Sequence, residues 1–202
     1  YFPVEEDERG AYIFNSRDLC LLLRLPELVD AGVDAVKIEG RMKSVGYVGA
    51  VVRLYRLALD WIGAQLAAGR APADLVLPAA FRREMEKIGT RGQSENFFSA
   101  HPSSGDMLYD TMRLEQSWVP AAVVSSATPL AVETRHSIAP GDHLEYLGRS
   151  IEPEIVTITG LWAEDGTPLD RAHPGRLVRL HTDPPLAEVE PATILRKKIE
   201  PA

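Results

Sequence analysis

The hydrophobic pattern changes near residue 118, and this change limits the folds that the chain can adopt. Between positions 45 and 68, apolar residues recur at helical spacing on one face. Beyond residue 118, short strand candidates are separated by turn pairs such as Pro140-Gly141 and Asp165-Gly166. The strand candidates are 119–124, 131–135, 143–147, 154–159 and 176–181. This spacing predicts a small β-barrel or sandwich after an α/β part.

The α/β part alternates strand and helix signals. A short strand is predicted over residues 11–14, one or two helical turns over 19–24, a second helix over 26–31 and another short strand over 34–39. Gly32 stands where a left-handed residue ends a helix, and Ser44 stands at the cap of the long helix. Seven residues of this long helix keep helical spacing on one predicted face: Val48, Val51, Val52, Tyr55, Ala58, Leu59 and Ile62. A further short helix is predicted over 81–88, and the polar stretch 91–112 is predicted to be a long irregular connection.

The charge balance bears on partners and location. The chain carries 22 basic and 29 acidic residues, a formal net charge of -7. General nucleic-acid binders usually carry a basic face, so this balance favours at most a local basic patch. Arg53, Arg56 and Asp60 interrupt the most apolar stretch, so no membrane span is predicted. No secretory leader pattern follows Tyr1, and we expect a soluble, cytoplasmic protein.

Cys20 is the single cysteine of the chain. One thiol does not hold zinc or an iron–sulfur cluster by itself. Asn15 and Ser16 have the character of a helix cap, which would place Cys20 early in a helix, where thiol pKa values fall. Three roles stay open for Cys20: a nucleophile, a cluster ligand, or a buried small apolar residue, since free cysteines are usually buried and inert.

The groups that a peptidase needs are not recognisable in the sequence. A cysteine protease needs a histidine within reach of its thiol. The histidines lie far from Cys20 along the chain, at positions 101, 136, 143, 173 and 181. Neither a His-Glu-x-x-His zinc motif nor a Gly-x-Ser-x-Gly elbow is present. The sequence therefore gives no positive evidence for proteolysis.

Three charged residues follow the strand candidate 34–39 or end it: Glu39, Arg41 and Lys43. In α/β barrels, catalytic groups collect at the C-terminal ends of the strands. An arginine there suits a carboxylate or phosphate held by two parallel hydrogen bonds. We therefore predict these three as candidate catalytic residues. The alternative is a structural ion pair between Glu39 and Arg41 beneath a loop.

Two basic motifs are candidates for contacts with nucleic acid. Arg91 is framed by glycines, and Arg196, Lys197 and Lys198 form a short basic cluster near the C-terminus. Both motifs suit phosphate groups. The alternative is that these residues are solvated surface or tail charge.

Several long motifs resemble the U32 peptidase family, also called the collagenase-like proteases. They are YFPVEEDERG at 1–10, NSRDLC at 15–20, PELVDAGVD at 26–34 and VKIEGRMKS at 36–44. The similarity is strong over residues 1–60 and looser beyond them. It implies an α/β fragment, the C-terminal part of a TIM-like barrel at 1–70. A helical and irregular connection at 71–118 and the family's all-β C-terminal barrel at 119–202 would follow. The upstream half of the same polypeptide would then be a partner of this chain.

The resemblance also implies a chemistry. The branch that this sequence resembles hydroxylates the wobble uridine of tRNA without oxygen, giving 5-hydroxyuridine. In that branch four cysteines hold a [4Fe–4S] cluster, and Cys20 matches the last of them. The other three are missing, so no cluster is expected in residues 1–202 alone. Glu39, Arg41 and Lys43 would line the barrel mouth, and the β-rich part would help to bind tRNA or another RNA.

Two alternatives to this implied chemistry stay open. One is a collagenase-like peptidase, as the family name indicates. The other is a non-catalytic module that binds RNA or protein. Related branches act on ribosomal RNA and on ubiquinone precursors, so the resemblance does not fix the substrate.

Overall fold

A computed structural model describes residues 4–7, 10–13, 15–88, 93–98, 101, 107–108 and 117–199. Arg91 lies outside these residues, as does most of the connection predicted over 91–112. Within the described part of the chain, no helix is both long enough and apolar enough to cross a bilayer.

The helices of the α/β part agree with prediction to within two residues at each end. They are α1 (Leu25–Asp30), α2 (Val45–Ala67) and α3 (Ala79–Glu86). Ser44 caps α2, because its hydroxyl accepts a hydrogen bond from the backbone N–H of Tyr47 at 3.2 Å. Gly32 follows α1 with a φ of 78°, the left-handed conformation that glycine adopts at little cost.

One face of α2 forms the core of the α/β part. Its buried residues follow i, i+4 spacing and are Ala50, Leu54, Ala58 and Ile62. They belong to a core that also includes Leu22, Leu25, Leu75, Leu77 and Phe81. Val52, which the sequence pattern places on this face, is 47% exposed, because it lies two residues from the buried row rather than four. Burial of each large aliphatic side chain contributes roughly 1.5–3 kcal/mol.

The α/β part also contains short paired strands. β1 (Val4–Asp7) pairs antiparallel with β2 (Gly10–Ile13), the strand predicted over 11–14. Two further pairs join distant segments: β3 (Asn15–Ser16) with β6 (Met107–Leu108), antiparallel, and β4 (Asp18–Leu19) with β5 (Gln93–Ser94), parallel.

The helix predicted over 19–24 is wrong except for a 3-10 turn at Leu22–Arg24. Asn15 and Ser16 lie in a strand instead of a cap. Cys20 follows a strand, and its backbone N–H donates to the carbonyl of Ser94 at 2.9 Å. Pairing with a segment 74 residues away in sequence thus overrides the local cap signal. The helix-terminus argument for a lowered thiol pKa at Cys20 consequently has no basis in the structure.

The strand predicted over 34–39 is also wrong. Residues 33–40 have no regular secondary structure, and Val36 within this segment is 41% exposed. A strand needs a neighbour for its backbone N–H and C=O groups. Among the described residues, no strand pairs with this segment.

The second part is a closed antiparallel barrel of six strands, which confirms the predicted small β-barrel. Its strands are β7 (Trp118–Ser126), β8 (Ala131–Thr134), β9 (His143–Tyr146), β10 (Glu154–Ala163), β11 (Leu177–Asp183) and β12 (Ile194–Lys198). Around the barrel they run in the order β10, β11, β8, β7, β12, β9. The sequence pattern missed β12, which closes the barrel between β7 and β9. The basic residues of β12 were interpreted as a charged C-terminal tail.

Four charged residues fix the barrel to the helices, and we call them the buried charge cluster: Glu84, Lys87, Glu145 and Arg196. Arg196 lies 2.5 Å from a carboxylate oxygen of Glu84 on α3 and 2.5 Å from one of Glu145 on β9. Lys87 bridges the same two carboxylates at 2.9 and 3.0 Å. The sequence places Arg196 in a phosphate-binding cluster, whereas the structure leaves it 5% exposed with its charge neutralised by carboxylates.

A second contact joins the same two parts. The Arg53 guanidinium on α2 donates to the carbonyl oxygen of Gly148 at 2.7 Å and to that of Ser150. Gly46 and Gly49 also bring α2 against the barrel, since a Cβ at these positions would meet Pro120 and Ile194 at 2.9 and 2.7 Å. The barrel is therefore docked on α2 and α3.

Candidate functional site

A cavity of about 370 Å³ opens in the α/β part. Its wall is formed by the end of β4, the irregular segment 33–40, one side of α2 and the residues around α3 and β5. Its polar and sulfur-containing lining residues are Asp18, Cys20, Lys37, Glu39, Tyr47, Tyr55, Met85 and Gln93. Because four separate segments contribute, no local sequence pattern contains the whole site.

The thiol of Cys20 is half-buried in this wall. Its Sγ lies 3.8 Å from the hydroxyl oxygen of Tyr55 and 3.4 Å from the Sδ of Met85. Cys20 lies between the end of β4 at Leu19 and the start of the 3-10 turn at Leu22. Cys20 is therefore a cavity residue with soft and hydroxyl neighbours.

The hydrogen bonds of Cys20 also bear on the protease hypothesis. All five histidines lie in the described part of the chain, and none of them is a hydrogen-bond partner of the Cys20 thiol there. A thiol activated for peptide cleavage needs a histidine base in such contact. The geometry of this chain does not supply one.

Asp18 joins two side chains at the start of α2 to the cavity. The Nζ of Lys43 lies 2.5 Å from its Oδ2, and the hydroxyl of Tyr47 lies 3.5 Å from the same oxygen. The Lys43 Nζ also lies 4.7 Å from the centroid of the Tyr47 ring. The cap at Ser44 orients this first turn, so the three groups form one hydrogen-bonded unit at the edge of the cavity.

Of the three candidate catalytic residues, Glu39 lines the cavity and Lys43 reaches it through Asp18. Arg41 is exposed and is not among the lining residues. The carboxylate of Glu39 accepts a hydrogen bond from the backbone N–H of Arg41 at 2.8 Å. Among the described side chains, no ion pair joins Glu39 to Arg41, so the structural alternative takes the form of a backbone turn.

Sequence reasoning did not identify Asp18, Tyr47, Tyr55 or Met85 as site residues. The two tyrosines lie eight positions apart on α2, close to two helical turns, so their side chains point to the same side. That spacing is a weak signal, because core residues follow the same period. Met85 lies at the site because of the way α3 packs, and no local sequence pattern predicts that packing.

Burial shapes the acid–base behaviour of the two tyrosines. Burial first, and then electrostatic interaction with Asp18 and Cys20, raise the pKa of Tyr47 to about 12. Burial is also the main cause that raises the pKa of Tyr55. Both hydroxyls therefore keep their protons far above neutral pH.

This shift predicts a pH dependence. The pKa of Tyr47 is 10.0 when unperturbed and about 12 when folded, so the folded state holds the proton more tightly. Stability from this group is present below pH 10 and falls as the pH rises towards 12. Titration of tyrosinate absorbance should show fewer phenols ionising near pH 10 in folded protein than in urea. Tyr47→Phe should remove part of the late transition, and an unchanged titration curve in that variant would contradict the assignment.

The predicted basic cluster does not form one surface. The Nζ of Lys197 donates to the Ser137 carbonyl at 2.6 Å and lies 3.0 Å from Asp142. Lys198 is exposed, whereas Arg196 belongs to the buried charge cluster. Contacts of these residues and of Arg91 with nucleic acid stay a prediction.

A metal site is not complete within the described residues. No group of three or more histidine, cysteine, aspartate or glutamate side chains is arranged there to hold a metal ion. Cys20 supplies one thiolate, and a [4Fe–4S] cluster commonly takes four. Any cluster at this site would need the other three ligands from elsewhere.

Comparisons with known proteins cover both parts of the chain. The chain is 28% identical over 196 residues to the tRNA hydroxylation protein P1 of Bacillus subtilis (strain 168), which is 95% of this chain and 44% of that protein. It is 38% identical over 101 residues to the tRNA hydroxylation protein P of Escherichia coli (strain K12), which is 50% of this chain and 20% of that protein. The chain thus spans less than half the length of these relatives.

A solved structure is also similar to this chain. It is the C-terminal domain of a Geobacillus thermoleovorans protein described as a U32 peptidase. The match has 31% identity and a TM-score of 0.34, and it covers 39% of this chain and 91% of that one.

Two family models match the sequence. Peptidase family U32 matches residues 3–108, and the peptidase family U32 C-terminal domain matches residues 121–196. Since the first model alone covers more than half of the chain, this protein belongs to peptidase family U32.

Proposed function

We propose that this chain is part of an enzyme that hydroxylates the wobble uridine of tRNA to 5-hydroxyuridine without using oxygen. The observation that carries the proposal is the Cys20 thiol, which faces a cavity and contacts a tyrosine hydroxyl and a thioether instead of a histidine. The names of the similar proteins from Bacillus subtilis and Escherichia coli support the choice of tRNA hydroxylation. Because tRNA is a cytoplasmic substrate, the proposal includes a cytoplasmic location for the enzyme.

The proposal includes a [4Fe–4S] cluster in the intact protein, with Cys20 as one of its ligands. The donor set of the described residues is incomplete for such a cluster, since it holds one thiolate. What supports Cys20 as a ligand is its place at the cavity wall, with the Tyr55 hydroxyl 3.8 Å away as an outer hydrogen-bonding group.

The chain's own residues suit the binding of an RNA nucleotide. Lys37 lines the cavity and Lys43 reaches it through Asp18, so two positive charges stand there against the two negative charges of Asp18 and Glu39. The cavity is therefore close to neutral although the chain has a net charge of -7, and Lys37 is the lining cation that suits a phosphate. The hydroxyl of Tyr47 stays protonated and donates to Asp18 at 3.5 Å, so its oxygen is available to accept a hydrogen bond from the N3–H of a uracil.

We also propose that the α/β part is the last portion of a TIM-like barrel. The parallel pairing of β4 with β5 supports this, because parallel strands are the building units of such barrels. Segment 33–40 comes before α2 in the chain, at the position of a strand that precedes its helix in such a barrel. Upstream residues of the same polypeptide would supply the strands that pair with it.

The nucleosides of tRNA test the proposed function. Cells that make the intact protein should contain 5-hydroxyuridine in their tRNA by mass spectrometry, and cells without its gene should lose it. In a separate assay of the peptidase alternative, purified chain 1–202 should leave gelatin intact. Unchanged 5-hydroxyuridine after gene deletion, or gelatin cleavage at an enzymatic rate, would overturn the proposal.

A further inference from the structure

The outer surface of the barrel carries a pair of aromatic rings that the proposed reaction does not use. Trp162 on β10 and His181 on β11 lie with ring centroids 4.4 Å apart at an interplanar angle of 54°. We call this pair the aromatic shelf. Trp162 is half-buried and His181 is exposed, so the shelf is in contact with solvent.

The strand register fixes the shelf on the outside of the barrel. Leu161 and Leu180 face each other in the ladder and are each 2% exposed, so they point into the core. Side chains alternate between the two faces of a strand. Trp162, Arg179 and His181 therefore point outward.

Glycine is required beneath the indole. Gly160 pairs with His181 in the ladder, and a Cβ at Gly160 would lie 2.1 Å from the indole of Trp162. Any side chain at this position would displace the ring, so the missing side chain lets the indole lie across the strand beside His181. The shelf is consequently held in place by backbone geometry.

The shelf lines an open cavity of about 750 Å³. Its other polar lining residues include Thr159, Arg179 and Thr182. The Arg179 guanidinium donates to the backbone carbonyl of Glu164 at 2.5 Å, which fixes a planar cation next to the rings. A π-surface, hydroxyl groups and a guanidinium are the groups that bind an unpaired nucleobase.

We propose that the aromatic shelf stacks an unpaired base of the RNA substrate. This inference rests on the proposed function for its choice of RNA and adds the surface that the RNA contacts. The neighbouring positions Glu164, Asp165 and Asp183 are acidic and exposed. These carboxylates repel phosphate groups, so the binding free energy contributed by the shelf comes from stacking with the base.

A binding experiment on the 202-residue chain tests the shelf. The probe is a fluorescein-labelled single-stranded oligouridylate of about 12 nucleotides, followed by anisotropy at low and moderate salt. Trp162→Leu keeps an apolar cover over Gly160 but removes the ring, and it should weaken binding by about fivefold or more. His181→Ala should weaken binding in the same direction.

The salt dependence separates stacking from phosphate binding. Because the shelf contacts a base, Trp162→Leu should lower the affinity and leave the slope of log K against log salt unchanged. His143→Ala is the matched control, since His143 is an exposed histidine on the neighbouring β9 that bonds only to Thr157 among the described residues. It should bind as the unchanged chain does.

Several results would overturn the shelf proposal: no binding of the oligouridylate at low salt, equal affinity in Trp162→Leu, or an equal loss in His143→Ala. His181→Ala carries the test if Trp162→Leu does not fold, since His181 lies on the surface. Loss of 5-hydroxyuridine in cells is measured separately. Shelf binding without tRNA hydroxylation would overturn the proposed function alone, and hydroxylation with no effect of the shelf variants on binding would overturn the shelf alone.

Discussion

Arg196→Met should lower the free energy of unfolding by about 3 kcal/mol or more. Arg196 is 5% exposed and lies within 2.5 Å of both Glu84 and Glu145. Removing the guanidinium leaves two buried carboxylates with only Lys87 between them. Uncompensated charge of this kind is among the costliest single changes in a protein interior. Urea unfolding followed by circular dichroism measures the effect.

Two further variants make this prediction specific. Lys198→Met removes an exposed positive charge two residues along the same strand and should change stability by less than about 0.5 kcal/mol. Adding Glu84→Gln and Glu145→Gln to Arg196→Met should recover much of the lost unfolding free energy. The two substitutions remove the buried negative charges that Arg196 neutralised. If Arg196→Met and Lys198→Met were equally stable, the buried charge cluster would not hold the barrel to α3.

Cys20→Ala in the intact protein should remove the proposed iron–sulfur cluster or leave it incomplete. A cluster that loses one of four thiolates is exposed at one iron and is prone to loss. Iron and acid-labile sulfide per polypeptide should fall several-fold, together with the visible absorbance of the cluster. The prediction concerns the intact protein, because the donor set of residues 1–202 holds a single thiolate.

Met85→Leu is the matched control for Cys20→Ala. The Sδ of Met85 lies 3.4 Å from the Cys20 Sγ, so this change alters the same wall and nearly preserves its volume. Iron and sulfide should stay at the level of the unchanged protein. An intact protein without a cluster, or one that keeps it fully after Cys20→Ala, would remove Cys20 from the ligand set.

The sequence predicted several caps and turns correctly, because these features depend on interactions between residues that are close in sequence. The cap at Ser44, the left-handed Gly32 and the repeated turns after residue 118 lie within a few residues of the structures that they specify. Cys20 and segment 34–39 were placed wrongly, because their structures depend on pairing with distant strands or on the lack of it. β12 was missed because barrel closure is a long-range event.

The candidate site was predictable only in part. The charged motif pointed to Glu39 and Lys43 at the cavity, and the resemblance drew attention to Cys20. Asp18 and Tyr47 became visible only through three-dimensional contacts. Arg196 shows the opposite error. A basic residue in a basic run is predicted to lie on the surface, but Arg196 is buried and pairs with two glutamates from distant segments.

The 5-hydroxyuridine content of tRNA in cells whose only copy of the intact protein carries Cys20→Ser is the most direct measurement of the central claim. Serine keeps the size of the side chain and removes the soft ligand, so the fold should hold while the modification disappears. Cells with Met85→Leu should keep the modification. Normal 5-hydroxyuridine in the Cys20→Ser cells would contradict the account, because it would show that the thiol at the cavity is not needed for the reaction.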